Sequence, residues 1–72
     1  MAGIDIFSGV AMLVDLPEAG LVRGQVGTVV ESWAPGLFEV EFCDDNGETY
    51  AMVALKADQL LPLHHEPVNQ AA

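Results

Sequence analysis

Positive charge is almost missing from this sequence. Its 72 residues hold two Lys and Arg side chains, Arg23 and Lys56, against eleven Asp and Glu, for a formal net charge of −9. Lys and Arg supply the phosphate contacts that dominate nucleic-acid affinity. Two isolated cations cannot form a basic stripe, so no nucleic-acid partner is expected. An anionic membrane surface is disfavoured for the same reason. A basic protein partner is permitted, although excess acid also serves solubility.

Cysteine is scarce as well. Cys43 is alone, so there is no disulfide framework, and a lone thiol fits a reducing compartment. Long hydrophobic runs are missing: a stretch such as Val10–Val14 is far too short to span a bilayer. The first residues lack the basic start and long apolar core of a secretory signal. The expectation from these absences is a cytoplasmic location. Helical periodicity is lacking too. Seven Gly and four Pro punctuate the chain, and no segment free of them keeps a 3.6-residue apolar period over about a dozen residues.

What is abundant is apolar character. Residues of the hydrophobic set make up 51% of the chain, and the mean hydropathy is +0.34. A domain of this size buries only about 60% of the surface that its unfolded chain exposes. Some apolar residues must therefore lie outside a single core, and exposed apolar patches mark interfaces. The expectation is a homo-oligomer, a dimer or tetramer.

The punctuation yields short strands. Val10–Asp15 reads as the first, with Val10, Met12 and Val14 on one face. Residues 15–24 form a loop marked by Pro17, Gly20 and Gly24. Gln25–Trp33 is a β-branched second strand, in which Gly27 signals a bulge or a close backbone approach. After the turn at residues 34–36, Leu37–Cys43 alternates cleanly, with Phe38, Val40 and Phe42 opposite Glu39 and Glu41. Asn46-Gly47 signals a hairpin with a type I′ turn. Thr49–Leu55 is the fourth strand, residues 56–59 a 3₁₀ turn, and Leu60–Leu63 a closing strand in which Pro62 suits an edge. The expected architecture is all-β: a small five-stranded SH3-like barrel over residues 1–63, with a short 3₁₀ turn before the last strand. Residues 64–72 read as a flexible polar tail.

The segments Gly24–Glu31, Phe38–Val53 and Gln59–Leu63 resemble a family of small bacterial proteins catalogued only as a domain of unknown function. The pattern G-x-V-G-T-V-V-E followed by F-E-V-E-F carries the likeness over roughly residues 8–63. Members of that family are similar in fold to SH3-like barrels, and Gly24–Glu31 also resembles the KOW motif of ribosomal and transcription-elongation proteins. The resemblance implies no activity and no catalytic residues. Through members encoded beside toxin-like or nuclease genes, it implies an antitoxin-like role by analogy.

Each chemically suggestive group has a plainer explanation. In the KOW-like stretch, Gly24 and Gly27 serve curvature, while Val26, Val29 and Val30 fill core and interface. Asp44, Asp45, Asn46 and Glu48 lack the spacing of a Ca²⁺ loop and read as a solvated turn. Glu39 and Glu41 lie about 7 Å apart along one strand face, but a chain this small offers no evident cleft and their face resists edge aggregation. Cys43 reads as a small packing residue, and His64 with His65 as tail residues that point apart. No catalytic residue, cofactor or metal site is therefore expected. The interface is assigned to Trp33, Leu37, Tyr50, Met52 and Leu61, since aromatic and large apolar side chains concentrate in interface cores. The expected function is a non-catalytic, acidic protein-interaction module that self-associates. The alternative is an antitoxin-like or inhibitory partner of a basic protein encoded nearby.

Overall fold

The computed structural model describes residues 3–67. Five strands form one antiparallel sheet: β1 (Gly9–Met12), β2 (Val26–Ala34), β3 (Leu37–Cys43), β4 (Thr49–Lys56) and β5 (Leu60–Pro62). Their order across the sheet is β4-β3-β2-β1-β5. The all-β architecture and the 3₁₀ turn before the last strand, Ala57–Gln59, are as the sequence implies. A second 3₁₀ turn, Pro17–Ala19, sits in the loop after β1.

The expected closure into a barrel is not present. β4 and β5 are the two ends of the sheet and do not pair. The Ala57–Gln59 turn carries the chain from β4 across to the far edge, and the three residues of β5 are spent pairing with β1. The sheet nevertheless curls around one core. Leu55 of β4 and Leu60 of β5 join the same buried cluster as Val10, Met12, Val29, Phe38, Val40 and Phe42. Leu21 in the β1–β2 loop is also fully buried, and Leu16 and Ala19 pack beside it. No polar or charged side chain is buried among the described residues.

β3 has the bounds and the inward face that its alternation predicts. β1 is shorter than expected. It stops at Met12, and Leu13 and Val14 are partly exposed. The reason is β5: with only three partners available, the ladder ends at the Met12–Leu60 pair. Gly27 is a close approach, not a bulge. A Cβ there would lie 2.8 Å from both the Glu41 carbonyl oxygen and Val40 Cγ1, and 2.9 Å from Phe42 Cδ2. The irregularities of β2 fall instead at Val30 and Trp33, where the β2–β3 register shifts.

The β3–β4 hairpin also differs from expectation. Gly47 adopts φ 80°, but Asn46 does not share a positive φ, as a type I′ turn would require. The Gly47 amide donates to the Asp44 carbonyl at 2.9 Å, and the Asp44 amide to the Glu48 carbonyl at 2.9 Å. This is a three-residue loop closed by a glycine in the left-handed region. Asp44 Oδ1 secures it by accepting from the Asn46 amide at 2.9 Å and the Glu48 amide at 3.0 Å. The residue types announced a hairpin, while the side chain of Asp44 decided which hairpin formed.

At the C-terminal side the Leu63 amide donates to the Gly9 carbonyl at 3.0 Å, extending the β1–β5 pairing by one bond. His64 and His65 are exposed. Of the stretch read as a tail, residues 68–72 lie outside the described residues.

Candidate interaction surface

Strand alternation divides the sheet into a core face and an outer face. The register aligns the outer face in rows. Gly9, Thr28, Glu41 and Met52 form one row from β1 to β4, and Glu31, Glu39 and Ala54 form the next. A third row, at the other end of the sheet, runs from Val26 through Ala11 to Leu61. Large apolar side chains and carboxylates thus share one face.

Four of the five expected interface residues occupy this face. Trp33, at the second register shift of β2, is 60% exposed, and its indole Nε1 donates to Glu39 Oε1 at 2.9 Å. Met52 projects opposite Glu41 and is half exposed. Leu37, opposite Lys56, is half-buried and borders a shallow, open concavity between the Ala34–Gly36 corner and Lys56–Asp58. Leu61 is also half exposed, but it lies on β5, at the other edge of the sheet. Tyr50 belongs to the core side. It is the extra residue where the β3–β4 register shifts, its ring centroid is 6.2 Å from that of Phe42, and its hydroxyl accepts from Gln25 Nε2 at 3.1 Å. The five residues therefore do not form one contiguous patch.

The outer-face carboxylates are held by neutral donors. Glu39 accepts from the Trp33 indole, and Glu41 accepts from the Thr49 hydroxyl. Glu31 stands directly opposite Glu39, an arrangement of like charges that weakens cross-strand pairing. Cys43, in sequence a small packing residue, lies at the exposed end of β3, with Sγ 3.7 Å from Thr49 Oγ1. The strand runs into the hairpin there, so no neighbouring element covers the thiol. Among the described residues, no group of three or more His, Cys, Asp or Glu side chains is placed to hold a metal ion. Nor is any described helix long and apolar enough to cross a membrane.

In Gly24–Glu31, Val29 is fully buried and Val30 half-buried, whereas Val26 is exposed. Arg23 sits in the β1–β2 loop, with its amide donating to Asp15 Oδ1 at 2.9 Å. Ile6 and Phe7 are among the exposed apolar residues that residue type did not single out. Ile6 and Phe7 occupy the tip of a turn closed by the Ser8 amide on the Asp5 carbonyl at 3.1 Å. Phe7 is 77% exposed and has φ 71°, a conformation that bulky residues seldom adopt. Nothing in residue type announces such a turn, because Gly or Asn ordinarily fills that position.

These features define a small all-β domain with a single open antiparallel sheet and a wholly apolar interior. Within that class, the chain belongs to the family described as a domain of unknown function, DUF4926, whose pattern matches residues 6–62. Comparisons with curated proteins and with solved structures returned no match.

Proposed function

We propose that this chain is a non-catalytic, acidic interaction module of the cytoplasm that works first by self-association. One observation carries the reading. Among the described residues, ten large hydrophobic side chains are exposed, against nine residues in the buried cluster. Exposed apolar side chains that share one face mark interaction surfaces, and Trp33, Met52 and Leu61 all stand on the outer face of the sheet. The strand order supports an SH3-like ancestry. In this reading the barrel is opened between β4 and β5.

A second reading draws on the outer face. Trp33 and Met52 beside Glu31, Glu39 and Glu41 would suit a basic, partly apolar protein surface, as an antitoxin-like or inhibitory role requires. The deciding measurement is the solution mass by light scattering after size exclusion, over a tenfold concentration range. Self-association predicts a mass above 7.7 kDa that rises with concentration or stays at a multiple of it. A constant monomer mass overturns self-association and leaves the basic-partner reading, which capture of a basic protein from the source cells would then test.

A further inference from the structure

We propose that two copies pair edge to edge through β4, antiparallel about a two-fold axis near Val53, so that two five-stranded sheets become one. This inference rests on the self-association reading and gives it a geometry.

The argument begins with what each sheet edge presents. An edge strand carries a row of unpaired N–H and C=O groups, a template for another strand unless something blunts it. β5 is blunted: it has three residues, and Pro62 contributes no N–H. β4 has eight residues, Thr49–Lys56, without proline or glycine, and its only charge is Lys56 at the end. The register shift at Tyr50 twists its first part. Ala51–Lys56 then pairs regularly with β3 and leaves its other side open.

Charge selects the occupant and the direction. Lys56 ends the strand at one side, and the carboxylates Asp44, Asp45 and Glu48 crowd the hairpin at the other. Antiparallel pairing brings Lys56 of each copy toward the partner's hairpin, joining unlike charges twice. Parallel pairing would set hairpin against hairpin in a chain that already carries −9.

Symmetry fixes the rest. A two-fold axis perpendicular to the sheet keeps outer faces together, so directly opposed residues must share a face. Centring the axis on Val53 uses the regular stretch of β4. Met52 then faces the partner's Ala54 on the outer face, and four apolar side chains meet across the seam. Isologous pairing of this kind closes at two copies and leaves the blunted β5 edges outermost.

Hydrogen exchange on the unmodified protein tests this directly. In an antiparallel ladder alternate amides face alternate sides. Those β4 amides not bonded to β3 are expected to gain at least tenfold protection between dilute and concentrated samples, while Leu61 of β5 gains none. Cross-linking gives an independent test. Opposed Cα atoms in an antiparallel pair lie about 4.5–5.5 Å apart, within disulfide range. In a Cys43→Ser background, Val53→Cys should oxidise to a covalent dimer, whereas the exposed Trp33→Cys should not. If scattering shows a dimer but β4 amides stay unprotected and Trp33→Cys cross-links instead, the edge geometry falls while self-association stands. If the mass is monomeric throughout, both fall.

Discussion

The two edges of this sheet solve the same problem differently. β5 is three residues long, ends in Pro62, and leaves little ladder to extend. β4 is eight residues long, apolar over most of its length, and open along one side. Both contribute to one core, through Leu60 and Leu55, so the contrast is not between a folded and a frayed strand. It lies in what each edge leaves available. Proteins usually protect an edge by shortening it, charging it or twisting it. Where one edge carries those devices and the other has only a bulge near its start, the second edge is the place to look for a partner.

The contrast can be broken most forcefully beneath β4. Phe42 is fully buried and pairs directly with Ala51 of β4. Phe42→Ala is expected to cost about 3–5 kcal/mol in urea unfolding. A near-neutral result would mean that β4 is not anchored by this core. Gly27→Ala comes next, at about 1–3 kcal/mol, because the new methyl meets a backbone oxygen and two core side chains with little room to yield. If that variant unfolds at the native denaturant midpoint, the tight β2–β3 packing that supports the curl is misplaced.

Smaller changes probe the hairpin that delivers β4. Gly47→Val should cost about 1–2 kcal/mol, since a β-branched residue resists the left-handed region that Gly47 occupies. Thermal melting should show it, and an unchanged Tm would argue for a different turn. Asp44→Ala removes the acceptor for two amides and should lower Tm by about 4–8 °C. Pro62→Ala should be the mildest, within about 0.5 kcal/mol, because Pro62 is only half-buried at the end of a three-residue edge strand and gives up no backbone N–H. A larger loss by circular dichroism would show that the proline holds β5 in place and is not merely a stop.

Much of this fold was legible in residue order. The clean alternation of Leu37–Cys43 gave β3 its bounds and its inward face, because one side of the strand is dry and the other wet. Gly27 within a β-branched run signals a close approach, and the structure has one there. The bulges at Val30, Trp33 and Tyr50 left no comparable mark. They exist because neighbouring strands must curl around a shared core, and that demand belongs to the assembled sheet. The end of β1 was illegible for a related reason. Val14 continues the alternation, but β5 runs out first. The candidate surface was legible as a set of residue types and not as a place. Trp33, Leu37, Met52 and Leu61 share the outer face, whereas Tyr50 turns to Phe42 and Gln25.

Composition by itself determined that this is a small, acidic, all-β domain without a basic surface and with more apolar residues than one core can hold. Those properties follow from counts and from period-two alternation, which are local. Only the tertiary structure decided that the sheet stays open, that its two edges are unequal, and which apolar side chains remain in water. Each of those outcomes depends on pairing between segments far apart in sequence. Backbone hydrogen bonds are satisfied strand against strand, and no single strand encodes where its neighbour stops.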